Sequence, residues 1–337
     1  MKRALVFTFH RPFDVREFSF FEIGESNSYF PISDSKEALT ECVKPLQTLL
    51  KKIEANNLKA SILFSGTYIE ALSSNFPLLL EDVNSLRKEG KIEILGGTYH
   101  QSMAPCFSQS LFTFECEQHK KAVKNHFNCS PTTFINSLNT YSDEIGKTID
   151  SLGYKNLVTE ANSWHLYGRN SDSIYAANFI SNLKLILRES GNSTNDSTEY
   201  KTIIFNGYGN NYYLNIEDAS KIIEVENTVL VSSLSKGIKS GSIPTYRVPR
   251  PIGFQSDDTN IDSLLSSPLQ RTIIEKILEL ENKITISKKD NLMGDLAVFA
   301  SQELLEKLNP SKYQKNAHQN FLSFINMLAD LEIRINS

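Results

Sequence analysis

Paired cysteines, a cationic arm and a long apolar run are all missing from this sequence. Its four cysteines, Cys42, Cys106, Cys116 and Cys129, show no Cys-x-x-Cys spacing, and its six histidines form no set at metal-ligand spacing. A zinc centre and a disulfide framework are therefore excluded as organising features, no metal or cofactor is expected, and the thiols read as reduced in a cytoplasmic protein. With 35 Lys+Arg against 39 Asp+Glu, a formal charge of −4, there is no basic excess to neutralise phosphates, so nucleic acid is not an expected partner. No stretch approaches the ~18 apolar residues of a membrane-spanning helix. The opening Met1-Lys2-Arg3 imitates a signal peptide, but the run Ala4–Phe9 ends at once in His10-Arg11-Pro12. It is too short for an export segment and reads as a first buried strand.

What is present is a long alternation of strand and helix patterns. Nearly continuous apolar runs mark strands at Ala4–Phe9, Ala60–Ser65, Ile92–Leu95, Thr133–Asn136, Asn156–Thr159, Leu183–Leu187 and Thr202–Asn206. Between them lie amphipathic helices, such as Glu37–Ala55 and Asp143–Leu152, the latter closing at Gly153. Strands apolar on both faces belong in a parallel sheet wrapped by helices, so seven of them predict an incomplete parallel (β/α)7 barrel. The segment 190–198, rich in Ser, Asn and Thr, reads as a polar surface loop. After residue 231 the pattern changes to Pro244, Pro249 and Pro251 in an extended stretch. Helical periodicity follows over Leu269–Asn282, Leu292–Lys307 and Ala317–Ile335. The expected division is a barrel over 1–231 and, over 232–337, a proline-containing connection with a helical region packed on it.

In such a barrel the chemistry sits at the C-terminal ends of the strands, and there the residues carry an ordered set of motifs. They are Phe9-His10-Arg11-Pro12-Phe13, Phe20-Phe21-Glu22-Ile23-Gly24, Phe64-Ser65-Gly66, Ile92-Glu93-Ile94-Leu95 with Thr98-Tyr99, and Tyr141-Ser142-Asp143-Glu144-Ile145. Then come Gly153-Tyr154-Lys155 with Thr159-Glu160, Val248-Pro249-Arg250-Pro251-Ile252 and Phe324-Ile325-Asn326-Met327-Leu328-Ala329-Asp330. Taken together they resemble the α-amylase-like branch of glycoside hydrolase family 57, from end to end of the chain. The resemblance implies a seven-stranded barrel followed by helices, and a retaining attack on α-linked glucans. That chemistry needs a Glu nucleophile after the fourth strand and an Asp acid after the seventh, with carboxyl groups roughly 5–5.5 Å apart.

Both positions are substituted. The family's Phe-x-Asn-Thr-Glu-Leu-x-Tyr is met by Phe134-Ile135-Asn136-Ser137-Leu138-Asn139-Thr140-Tyr141, which puts Leu138 in the nucleophile's place. The acid segment is met by Ile204-Phe205-Asn206-Gly207-Tyr208-Gly209, with Asn206 in the acid's place. No shift of register restores either, because no Asp or Glu occurs from Gln118 to Ser142 or from Tyr200 to Ile216. A leucine methyl cannot attack carbon and an amide cannot act as a carboxylic acid. By the same resemblance, Gly97 replaces a Glu, Gln101 a His, and Phe254 and Leu265 replace tryptophans.

The polar residues left for substrate binding are His10, Tyr99, Glu160 and Arg188, each with an equally simple structural reading: a strand-end histidine, a packed aromatic and an ion pair. Asp14, Glu160 and Glu189 are the carboxylates expected near the strand ends, and Glu281, Asp290, Asp295 and the other C-terminal charges read as solvated helix faces. The resemblance with these losses leads to a pseudoenzyme that binds an α-glucan or maltooligosaccharide, or regulates a partner enzyme of glycogen or starch metabolism. The alternatives are an active α-glucan hydrolase or transglycosidase with relocated carboxylates, Glu160 with Glu189, and a structural protein-interaction subunit.

Overall fold

A computed structural model describes residues 2–12, 15–25, 28–29, 36–171, 173–180, 182–188, 200–206, 227–254 and 260–337. The strands are β1 (Lys2–Phe9), β2 (Ala60–Phe64), β3 (Ile92–Ile94), β4 (Thr133–Ile135), β5 (Asn156–Glu160), β6 (Ile174–Ala177), β7 (Lys184–Arg188), β8 (Tyr200–Asn206), β9 (Thr228–Val229) and β10 (Thr245–Tyr246). One sheet runs β3-β2-β1-β8, all parallel, with β9 also on β1. The other runs β4-β5-β7, also parallel, with β6 antiparallel on β7 and β10 on β6. Gly96 stitches the two together: its N–H donates to Thr133 O at 2.8 Å and its carbonyl accepts from Ile135 N at 2.9 Å. The seven strands read from the sequence thus curve into one incomplete (β/α)7 barrel. No ladder joins β7 to β8 among the described residues. β6 escaped the sequence reading because it is a four-residue return inside the connection from β5 to β7.

The alternation along β1 shows how the ring is filled. Leu5, Phe7 and Phe9 face outward against Leu46, Leu49 and Ile53 of α1 (Lys36–Asn56). Ala4 and Val6 face inward, where they meet Leu63, Leu95, Ile135, Val158 and Ile186 from successive strands. The remaining barrel helices are α2 (Gly66–Asn75), α3 (Pro77–Lys88), α4 (Gln109–Phe127), α5 (Asp143–Ser151), α6 (Ser163–Leu166) and α7 (Val231–Leu234). α5 starts on the Ser142 hydroxyl, which accepts from Ile145 N, and its chain turns away at Gly153, φ +88°.

The last third forms α8 (Ile261–Leu265), α9 (Pro268–Ser287), α10 (Met293–Ala297), α11 (Gln302–Lys307) and α12 (Pro310–Asn336). Phe134, Leu157 and Leu187 of the barrel share a single apolar cluster with Leu280, Leu304 and Phe324 of these helices. The helix expected over Leu292–Lys307 is broken, because the backbone leaving β3 takes its hydrogen bonds there. Met103 N donates to Ala300 O at 2.7 Å and Gln302 N to Gln101 O at 3.1 Å, and Ser301 is extended, ψ 148°. α11 therefore begins at the barrel rather than on the surface.

The solvated-face reading of the C-terminal charges fails for several of them. Glu281 is buried and accepts from the Ser108 hydroxyl at 2.8 Å. Glu303, Glu306 and Asp330 are buried as well, Asp330 accepting from Gly24 N and the Tyr29 hydroxyl. Buried carboxylates need such partners, and the partners lie far off in sequence, where periodicity cannot reveal them.

Candidate functional site

His10 follows β1 directly and is buried, with Nε2 3.2 Å from Oε1 of Glu303 in the first turn of α11. Beside them stands a second pair. Glu115 of α4 accepts from the His100 backbone N–H at 2.8 Å and lies 2.7 Å from its ring Nδ1, all of it out of water. Burial favours the neutral imidazole of His100, but the charge and hydrogen bond of Glu115, with Glu303 and Glu70 further off, outweigh it and raise the pKa. His119 behaves oppositely. Its Nδ1 accepts from Gly97 N at 3.3 Å and its Nε2 donates to Phe64 O at 2.7 Å, the pattern of a neutral ring. Burial holds its pKa down to about 4.

Beyond β4 the chain makes a tight turn in which Leu138 and Asn139 both take left-handed backbone, φ 50° and 51°. A left-handed leucine is strained, and here it is held from both sides. Phe254 N donates to Leu138 O at 2.6 Å, and Thr159 Oγ1 donates to Asn139 O at 2.8 Å. The Leu138 side chain is 0% exposed and belongs to the cluster joining barrel to helices. From the same turn Asn139 Nδ2 donates to Glu160 Oε1 at 2.5 Å. Glu160 closes β5 in register with Arg188 at the end of β7, whose Nε lies 3.6 Å from the same oxygen. The Arg188 guanidinium also covers the Phe254 ring at 5.5 Å.

Tyr99 donates its hydroxyl to Glu70 on α2 and sets its ring edge-on to His100, 4.8 Å between centroids. The ring lies so close over Gly66 that a Cβ there would sit 2.2 Å from it. Gly97 is similarly enclosed, a Cβ there falling 2.6 Å from Leu63 Cδ1, so the Glu suggested by resemblance has no room without repacking. Asn206 ends β8 opposite Thr8 of β1. Asp14, Glu189 and the loop 190–198 lie outside the described residues.

The structure thus groups His10 and Tyr99 around Glu303, His100 and Glu115, and joins Glu160 to Arg188 through one carboxylate. Glu303, Glu115, His100 and Asn139 escaped the sequence reading. Their signal was at most a buried-type carboxylate within an apolar stretch, as in Gln302-Glu303-Leu304-Leu305. Two amides offer atoms that make no hydrogen bond among the described residues: both ends of buried Gln302, and Oδ1 of Asn139. Among the described residues no three His, Cys, Asp or Glu are grouped to hold a metal ion, and no helix is long and apolar enough to cross a membrane. A carboxylate against an imidazole can move a proton, whereas the buried leucine offers no nucleophile.

Comparison with known proteins points one way. The chain is 27% identical over 150 residues, 44% of its length, to a Methanocaldococcus jannaschii protein named "Putative alpha-amylase", and spans 32% of that protein. In structure it is similar to a GH57-type branching enzyme from Pyrococcus horikoshii, with a TM-score of 0.71 at 11% identity, covering 100% of this chain and 95% of that one. It is also similar to the 4-alpha-glucanotransferase of Thermococcus litoralis, with a TM-score of 0.57 at 12% identity, covering 97% of this chain and 53% of that one. At such identities the structural likeness speaks for the fold. Residues 4–232 match the family described as Glycosyl hydrolase family 57, and with most of its length so matched the chain belongs to that family.

Proposed function

We propose that this protein is a non-catalytic α-glucan-binding member of its family, acting by holding a glucan or maltooligosaccharide rather than by cleaving it. One observation carries the proposal. Leu138, where resemblance expects the nucleophile, is wholly buried in the apolar cluster and pinned by its backbone, with no carboxylate between residues 118 and 142 to replace it. The polar groups that remain suit binding. His10, Gln302 and Asn139 present imidazole and amide atoms, and the Glu160–Arg188 pair adds charge, the mixed donor and acceptor set that sugar hydroxyls match. Regulation of an enzyme of glycogen or starch metabolism, through a bound glucan or a direct protein contact, fits the same loss of chemistry.

A second reading has its own observation. Glu303 stands against His10, and with Glu160 it puts two buried carboxylates at the barrel. Catalysis by relocated carboxylates requires such groups, and it predicts that Glu160→Gln or Glu303→Gln abolishes turnover. Calorimetric titration with maltoheptaose, paired with a reducing-end assay on the same sample, separates the readings. Saturable heat without products supports the binding role, and products overturn it.

A further inference from the structure

The chain has a single tryptophan, Trp164, and it is 84% exposed on α6, just beyond Glu160 at the end of β5. Tyr167, one turn later, is 81% exposed. Isolated exposed apolar groups are ordinary on protein surfaces, but this turn is firmly built. Asn162 caps it, its Oδ1 accepting from Trp164 N at 3.0 Å, while Asn162 N donates to the Tyr246 hydroxyl at 2.9 Å. Arg169 clamps it from beneath, Nε donating to Leu166 O at 2.9 Å and Nη1 to Thr245 O at 2.9 Å, with the guanidinium over the Tyr175 ring.

Between the two exposed rings, Leu166 is buried and His165 packs edge-on to Tyr246. Tyr167 is held at φ 52° immediately before Gly168, at φ 78°. Tyr167 is the left-handed C-cap of α6, so the chain ends the helix there and leaves the ring largely in solvent.

We propose that Trp164 and Tyr167 form an outer platform on which an α-glucan chain stacks as it leaves the barrel end where Glu160 and Arg188 lie. This rests on the glucan-binding reading above and places part of the contact outside the ring. The occupant follows from the chemistry of the pair. Flat rings meet the apolar faces of pyranoses, and the indole N–H and phenol O–H at their edges reach the ring hydroxyls. Arg169, the nearest cation in sequence, is committed to backbone carbonyls.

The single tryptophan makes the test direct. Maltoheptaose titrated into the intact protein is followed by calorimetry and by tryptophan emission. The platform predicts a saturable emission change that tracks the heat, a loss of roughly fivefold or more in affinity for Trp164→Ala and for Tyr167→Ala, and near-native affinity for Trp164→Phe. Circular dichroism establishes that each variant is folded. Binding heat with unchanged emission, or with unchanged affinity in both alanine variants, overturns the platform and leaves the glucan reading standing. Absence of heat and of any emission change overturns both.

Discussion

The imidazole of His10, at the end of the first strand, lies 3.2 Å from the carboxylate of Glu303, which opens a helix almost three hundred residues later. Both are out of water, and the contact joins barrel to helical region alongside those of Ser108 with Glu281 and Met103 N with Ala300 O. Replacing Glu303 by Leu removes this contact and is expected to cost about 1–3 kcal/mol, the usual loss when a buried hydrogen-bonding contact is deleted from one side. Urea unfolding measures it. A variant as stable as the parent would show that the contact contributes nothing to holding the two parts together.

Arg188 and Glu160 make a comparable contact between adjacent strands. Arg188→Met takes the guanidinium from the buried Glu160 carboxylate, which keeps its hydrogen bond from Asn139. Removing the cationic partner of a buried carboxylate predicts a loss of about 3 kcal/mol, the low end for broken buried pairs because the guanidinium retains some solvent contact. Glu160→Gln, which removes the charge as well, should cost less. The two midpoints, compared in the same denaturant series, test that order.

His100 and His119 pull the pH dependence of stability in opposite directions. The raised pKa of His100 means that unfolding releases its proton. Its contribution is full below about 6.5 and is lost as pH rises through the folded value. The pKa of His119 is lowered to about 4, so unfolding takes a proton up. That contribution is full above 6.5 and disappears as pH falls toward 4, by roughly 3 kcal/mol for a shift of this size. Unfolding free energies measured across the range should show a flatter acid limb in His119→Gln and a flatter alkaline limb in His100→Gln.

Restoring the carboxylates suggested by family resemblance should not restore an enzyme. Leu138→Glu places a charge in the apolar cluster, at a cost of several kcal/mol. Leu138→Glu with Asn206→Asp is therefore expected to be destabilised and inactive. A stable double variant that cleaves maltoheptaose would show that the site had lost only its two catalytic groups.

The seven barrel strands were legible because each is a short apolar run, as in Ala60–Phe64 and Asn156–Glu160, bounded by clear helix patterns. The reading of Leu138 and Asn206 as substituted catalytic positions rests on the residues that flank them in the sequence. What lay hidden were relations across distance. Nothing near Glu303 announces that Ser301 will leave the helix to pair with Ser102, and only that break brings Glu303 to His10. Glu281 looked like one more charge on a helix face until Ser108 and Ser110 proved to be its partners. Strand periodicity also could not flag β6, which runs against its neighbour within a connection.

The central claim is binding without chemistry, and the most direct test is product analysis of maltoheptaose after prolonged incubation with concentrated protein. Hydrolysis creates reducing ends, whereas transfer only redistributes chain lengths, so both must be followed. A protein that only binds leaves the chain-length distribution unchanged and makes no new reducing ends in a sample that calorimetry shows to be glucan-bound. Redistribution or cleavage that disappears in Glu160→Gln or Glu303→Gln would contradict it and place a working active site in this barrel.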